Sequence, residues 1–579
     1  MSQSAQTKSS PVVPKKYVAA FIMVTILFPL WGFANDITNP MVAAFKKILL
    51  ISNFESSLVQ AAFYGGYCFM AIPAALFIKR FSYKSGILVG LALYSAAALF
   101  FPVAGHMMSF TAFLIAYFVM TCGLSFLETT ANPYILSMGA QDTATRRLNL
   151  AQAFNPMGSL TGMFVAMVFI LANLTSVSHD PEIAPILAEK AHDKIETVVK
   201  SDTDDTAKWA EINQMGLSSW VTQSGTITSA LDSQTAVNWD NVLSSIQTDH
   251  QRLARVLSVT ENTSTSDSEK WTAIQQQGLL GNLADEDQKK IENKINKNKE
   301  VNWTNTPLLD GSPDEEQARS LISEVDQAKW NSIQEADLNV LQGPYFAIGI
   351  VVAIFFLIFL FFKLPTSHYE EDKSIHLGPT LKRLFSNSNY VGGVIAQAFY
   401  VGAQIMCWTF IIQYAGNELD MRATTAQGYN IIAMIIFVSS RFICTFLLKY
   451  FSPGSLLATL AVGGGTLILG VIFIQGMTGL YCLVGVSACM SLMFPTIYGI
   501  ALDGLGDDAK LGAAGLIMAI GGGCLMPPLQ ASIMDKEAFE LGSMILSSTR
   551  ASFVLPFICF VAIAIYGYLA HKKNHGEVA

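Results

Sequence analysis

The chain has 579 residues, 51% hydrophobic and only 14% charged, with 37 phenylalanines. Soluble globular chains carry about 25% charged residues, so a large part of this one belongs in lipid, and a basic nucleic-acid binder is excluded. The formal net charge of −8 is the sum of unlike parts: residues 174–343 hold 14 Lys and Arg against 28 Asp and Glu, a net of −14, and the remainder stands at +6. The acidic block reads as a water-soluble segment set into a mildly basic membrane protein.

A short polar tail carrying Lys8, Lys15 and Lys16 runs into the first apolar stretch, which is longer than a signal core and shows no small-residue cleavage site. Apolar stretches of spanning length follow near 17–43, 55–79, 85–104, 109–137, 148–173, 344–364, 389–415, 424–450, 455–475, 479–502, 511–534 and 549–571. Twelve spans are therefore expected. Lys79, Arg80 and Lys84, Arg146 and Arg147, Lys363, Lys373, Lys382 and Arg383, Lys449, and Lys572 and Lys573 all fall on one side if the N-terminus is cytoplasmic. Lys46 and Lys47 are the exception. Both termini are thus expected inside and the acidic block outside.

In span 1, Asp36 and Asn39 are spaced i, i+3, near Trp31, Gly32 and Pro40. Lys16 and Lys46 lie about 30 Å and about 15 Å away along an ideal helix, so Asp36 is too deep to reach water by snorkelling. Span 2 presents Gln60, Tyr64 and Tyr67 on one face. Span 4 places Thr121, Ser125, Glu128 and Asn132 at i, i+4, i+7 and i+11, again one face, with Pro133 beside them. A carboxylate at the centre of a span costs roughly 2.5–3.5 kcal/mol on insertion scales, so it normally has a partner or a function. The stripe reads either as polar glue between helices or as a protonatable site on a transport route. Span 5 carries Gln152 and Asn155 before Pro156 and Gly158, and span 7 carries Gln397, Tyr400, Gln404 and Trp408. Amides and carboxylates can bind several hydroxyls at once, and aromatic faces cover the C–H surface of a sugar ring. Arg441, inside span 8, is expected either to face an acid across the route or to fix the turn between spans 8 and 9.

Six spans, a linker at 365–388 and six more suggest a duplicated architecture. Asn132-Pro133-Tyr134-Ile135 in span 4 matches Phe494-Pro495-Thr496-Ile497 in span 10, with Met490 where the first half has Glu128. The acidic block has a repeat of its own. Lys208-Trp209, Lys270-Trp271 and Lys329-Trp330 recur about every 60 residues, with Asn238-Trp239 and Asn302-Trp303 between them. Short amphipathic helices packed on tryptophans are expected, the alternative being an exposed tryptophan set that binds a glycan. All eight cysteines lie in apolar stretches, so packing is expected rather than disulfides or a metal site.

The stretches LWGFAND (30–36), SNFESSLVQAAFYGGY (52–67), FSYKSGILVGLALY (81–94), FLETTANPY (126–134), RLNLAQAFNPMGSLTG (147–162), AQAFYVGAQIMCW (396–408) and FPTIYGIALDGLGDD (494–508) resemble the fucose permease group of the major facilitator superfamily. They cover essentially all of the chain outside 174–343. The resemblance implies an all-α membrane protein of twelve helices in two six-helix bundles, with alternating access and coupling to protons through acids on spans 1 and 4. It places Glu128 on the span-4 acid and Asn155 on the substrate-binding asparagine. Asn39 stands where the family has its span-1 acid, and Asp36 lies one turn earlier.

The expected domains are 17–173 (helices 1–5), the helical external insert 174–343, helix 6 at 344–364, the cytoplasmic linker 365–388 and the C-terminal bundle 389–571. The expected function is proton-coupled uptake of a monosaccharide, fucose or a related hexose, across the cytoplasmic (inner) membrane. Glu128 and Asp36 would exchange the proton. Asn155, Gln152, Asn132, Asn39, Gln404, Trp408, Tyr64 and Tyr400 would hold the sugar. Sugar, proton and lipid bilayer are the expected partners, with no metal or organic cofactor, no nucleic acid, no enzymatic reaction, and a monomeric state. A sodium-coupled or facilitative carrier, or a sensor that uses the insert, are the alternatives.

Overall fold

The computed structural model describes residues 12–139, 144–178, 180, 183–221, 224–260, 264–280, 283, 285–297, 301, 303, 315–365, 377–419, 421–448, 450–505, 508–541 and 544–574. Among them the regular structure is helical apart from one antiparallel hairpin, β1 (Phe539–Leu541) and β2 (Met544–Leu546), with Glu540 opposite Ile545. Two units are distinguished, 1–174 with 337–579, and 175–336.

Among the described residues the spanning helices fall in the first unit, apart from the start of the span-6 helix at 327–336. Twelve helices are long and apolar enough to cross a membrane: Lys15–Leu49, Asn53–Arg80, Tyr83–His106, Phe110–Ser137, Leu150–Asn173, Gln327–Phe361, Ser388–Thr409, Ala423–Cys444, Pro453–Phe473, Met477–Leu502, Leu511–Met534 and Ser548–Lys573, here spans 1 to 12. The helix of span 6 begins 17 residues before its apolar stretch does. From Gln327 to Gln342 it contains no Gly or Pro, Asp326 accepts the Lys329 amide at 2.9 Å to start it, and Pro344 is carried inside. Of the expected linker, 366–376 lie outside the described residues and Leu377–Ser386 is an amphipathic helix. Beside it, Arg383 grips Asp508 with two bonds of 2.6 and 2.7 Å, which hold the Asp508 carboxyl below the usual carboxylate range.

Proline placement interrupts the spans where polar residues cluster. A proline donates no hydrogen bond and frees the carbonyl four residues earlier. Pro40 does this to Asp36, Pro133 to Thr129, Pro156 to Gln152 and Pro495 to Ser491. Span 1 accordingly breaks at Asn39–Pro40, span 5 at 153–154 and span 10 at 491–492. Glycine sets the contact between spans 1 and 5. A Cβ at Gly158 would collide with the Pro29 carbonyl and one at Gly32 with the Asn155 carbonyl, so the two backbones touch and the Asn155 side chain is carried up against span 1. There its amide donates to the Phe28 carbonyl at 3.3 Å.

Arg147, counted above among the loop charges, is fully buried. Its guanidinium donates to the Ile135 and Leu136 carbonyls at 3.0 and 2.7 Å and so caps the end of span 4.

The second unit, 175–336, is built from short helices. Asp205 opens one of them, and its carboxylate accepts the Val237 amide at 2.9 Å and the Trp239 indole at 2.8 Å. One repeat later Asp267 accepts the Val301 amide at 2.8 Å and the Trp303 indole at 2.6 Å. The repeat is therefore a carboxylate clamp that seats a tryptophan. Trp271 and Trp303 stack with ring centres 6.4 Å apart in a core with Leu253, Val256, Leu257 and Ile274. Trp220, Trp239, Trp271, Trp303 and Trp330 are all buried and Trp209 is half-buried, so the set serves as core. Asn302 lies outside the described residues.

Candidate functional site

The interrupted helices converge on a cavity of about 200 Å³. Its wall takes Trp31, Asn35 and Asp36 from span 1, Tyr64 and Tyr67 from span 2, Glu128 from span 4, and Gln152, Asn155 and Ser159 from span 5. The second half contributes Tyr400, Gln404 and Trp408 from span 7, Met434, Phe437 and Arg441 from span 8, Phe494 from span 10 and Ile520 from span 11. Spans 3, 6, 9 and 12 contribute nothing to it. The chemistry is asymmetric, since both carboxyls come from the first half and the guanidinium from the second.

The two acids are held differently. Asp36, 6% exposed, accepts from the Asn39 amide at 3.0 Å and is hydrogen-bonded by the Ser159 hydroxyl. Glu128 has no hydrogen bond or ion pair with any described residue, although it sits in mid-span. Its helical neighbours do not serve it. The Thr121 hydroxyl is spent on the Tyr117 and Phe118 carbonyls, and the Ser125 hydroxyl is buried with no partner among the described residues.

Arg441 lines the cavity. The carbonyl that Pro495 deprives of its helical donor, that of Ser491, receives the Arg441 Nε at 3.1 Å, and the guanidinium carbon lies 4.9 Å from the Phe437 ring centre. One residue earlier in span 10, the Met490 carbonyl accepts the Tyr400 hydroxyl at 3.1 Å. Trp408 is oriented by its indole bond to the Ser487 hydroxyl at 3.1 Å and packs edge-on against Phe437 at 5.0 Å. Tyr64 stacks with Tyr67 at 6.4 Å.

Eight of the ten expected site residues meet at this cavity: Asp36, Glu128, Gln152, Asn155, Tyr64, Tyr400, Gln404 and Trp408. Asn39 and Asn132 are not in its wall. Asn39 is 1% exposed and bonded to Asp36 and Gln60, and Asn132 accepts from Gln152 at 3.3 Å. Each instead supports a residue that lines the cavity, Asn39 through Asp36 and Asn132 through Gln152. Asn35 and Ser159 were missed. Ser159 follows Asn155 at i+4 on the same face, a spacing that could have found it. Asn35 points about 100° away from Asp36 around the helix, so the i, i+3 pairing of Asp36 with Asn39 does not lead to it. In the insert, His192, Asp193 and Glu196 bring ligand atoms within 4.8 Å of one another, but Lys200 already pairs with Glu196.

The family model of the Major Facilitator Superfamily matches residues 20–176. The chain is 41% identical to the L-fucose-proton symporter of Haemophilus influenzae, over 97% of this chain and 99% of the relative. The chain belongs to the fucose permease group of the major facilitator superfamily. It is also 26% identical to the L-fucose-proton symporter of Escherichia coli, over 97% of both chains. In structure it is similar to the crystal structure of the major facilitator superfamily transporter FucP in the outward conformation, with a TM-score of 0.56 and 24% identity, over 96% of this chain and 99% of that one. That likeness shows the major facilitator fold. In a major facilitator protein the cavity between the halves is the place where alternating access would act.

Proposed function

We propose that this chain is a secondary active transporter that takes up a monosaccharide, fucose or a related hexose, together with a proton across the cytoplasmic membrane. The observation that carries the reading is Glu128, a mid-span carboxyl with no hydrogen bond to any described residue, in a cavity walled by both halves. The similarity to L-fucose-proton symporters supports the same reading.

A proton taken by Glu128 removes the charge that closing the cavity would otherwise strip of water, so the loaded carrier closes more easily. Gln152, Asn155 and Gln404 offer amide donors and acceptors to the sugar hydroxyls. Tyr64, Tyr400 and Trp408 offer ring faces to its C–H surface. Asn132 acts through Gln152 and Asn39 through Asp36. Rocking of the two halves about the cavity then exposes the site inward, where sugar and proton leave. The loop charges favour cytoplasmic termini and an external insert. The carrier works as a monomer, and its coupling ion is the proton, with no metal or organic cofactor in the cycle.

Proteoliposomes should accumulate radiolabelled fucose or a related hexose when the outside is acidified, and replacing sodium at constant pH should change nothing. Glu128→Gln should cut proton-driven accumulation at least tenfold. Full accumulation by that variant, or a strict need for sodium, overturns the role given to Glu128.

A further inference from the structure

Behind the cavity wall four side chains stand in line between the two halves. Asn39 Nδ2 donates to Asp36 Oδ1 at 3.0 Å, Gln60 Nε2 donates to Asn39 Oδ1 at 3.2 Å, and the same Nε2 donates to Thr409 Oγ1 at 3.0 Å. Asp36 and Asn39 belong to span 1, Gln60 to span 2 and Thr409 to span 7, so the last bond crosses from one bundle to the other. Asn39, Gln60 and Thr409 are each at most 1% exposed, which leaves water little part in the exchange.

The line has a direction. An ionised carboxylate can only accept, so it draws the NH2 group of Asn39 towards itself and turns the Asn39 carbonyl towards span 2. That carbonyl takes one N–H of Gln60 and the other N–H reaches Thr409. The Gln60 carbonyl is left buried with no partner among the described residues, a cost the line carries in order to place both donors. A protonated Asp36 can donate instead. Asn39 can then turn its carbonyl to Asp36 and its NH2 group to Gln60, which must answer with its own carbonyl and withdraw Nε2 from Thr409.

We propose that Gln60 and Thr409 are positioning residues that report the protonation state of Asp36 across the bundle interface, holding span 2 against span 7 while Asp36 is ionised and releasing it when Asp36 takes a proton from the cavity. The groups that share the cavity with Asp36 are Tyr64 and Tyr67 of span 2, Glu128 of span 4, Tyr400 of span 7 and Arg441 of span 8. Of these, Glu128 has no hydrogen bond to any member of the line. The consequence is protection against proton leak: a carrier with a proton and no sugar lacks this bond between its halves and stays open on the Thr409 side until sugar supplies other closing contacts. The inference rests on the transport reading for its proton, but the readout is conformational.

Met107 and Gln475 are exposed residues that follow spans 3 and 9, at the same end of the bundles as Thr409. Spin labels carried there on ketone side chains leave the eight cysteines untouched, and pulsed dipolar spectroscopy gives the separation of the halves as pH is varied. In the unsubstituted protein the ratio of close to distant pairs should fall about fivefold as Asp36 is protonated, the effect of one net hydrogen bond. Thr409→Val and Gln60→Leu should remove that response, and Thr409→Ser should restore it. Asp36→Asn combined with Thr409→Val should lose no more than either alone, and any response that survives belongs to Glu128. A full response in Thr409→Val, a loss in Thr409→Ser equal to that in Thr409→Val, or additive losses in the double variant overturns the relay. Absence of sugar uptake by the unsubstituted protein would overturn the transport reading and leave the label result standing by itself.

Discussion

Asp535, at the end of span 11, caps the first turn of span 2. One carboxylate oxygen accepts the Asn53 amide at 2.9 Å and its side-chain nitrogen at 2.7 Å, and the other accepts the Phe54 amide at 2.7 Å. A helix N-terminus presents unsatisfied N–H groups and partial positive charge, so a carboxylate there is favourable on both counts. What distinguishes this cap is that it comes from the other half of the molecule. Ser52 already caps the same helix locally with Glu55 in a capping box, so the helix itself does not depend on Asp535.

Asp535→Ala should therefore loosen the two halves at this end and leave span 2 folded. A lost cap is worth about 1 kcal/mol, and the population with Met107 and Gln475 close together should fall about fivefold at pH 7. Helix content by circular dichroism should stay unchanged. A drop in helix content with no change in label separation would show that the residue stabilises span 2 and not the contact between halves.

Arg441 and Pro495 form a second pair that a double substitution can test. If the guanidinium is there to satisfy the Ser491 carbonyl, Arg441→Met should lower stability by about 1–3 kcal/mol. Pro495→Ala restores a helical donor to the same carbonyl, so the loss caused by Arg441→Met should shrink by at least half in that background. Melting temperatures of the four proteins in detergent give the answer. Equal losses in both backgrounds would move the role of Arg441 from the backbone to the cavity.

The insert should be acid-sensitive through Glu315. Burial pushes this carboxyl up, but the Arg319 guanidinium at 2.9 Å and the bonds from Ser178 and Val177 outweigh it and hold the group below the usual carboxylate range. A carboxyl with a lowered folded-state pKa contributes stability that is present above its unfolded value and lost as pH falls through the folded one. Stability of the insert should thus decline below about pH 4. Glu315→Gln should be less stable at pH 7 and flatter with pH. Six of the eight tryptophans (209, 220, 239, 271, 303 and 330) lie in the insert, so tryptophan fluorescence during melting reports mainly on this unit.

Much of this was legible in the sequence because a bilayer imposes a harsh and simple rule. Lipid tolerates long apolar stretches and penalises isolated charge, so the twelve spans, Glu128 and Asp36 stand out in a one-dimensional reading. The helical repeat then sorted Gln152, Asn155, Gln404 and Trp408 onto faces that do meet at the cavity. The start of span 6 was misplaced because apolar content marks the membrane and not the helix. Gln327–Leu341 is polar and still helical.

The sequence by itself determined the number of spans, the two-part charge and the acids, since these depend on composition and periodicity. Only the tertiary structure decided which residue answers which. Gln60 and Thr409 are 349 positions apart, and Asn53 and Asp535 are 482. No local pattern links such pairs. They meet because spans 2, 7 and 11 are brought together by packing, and a hydrogen bond that short-ranged exists only once the backbones around it are fixed.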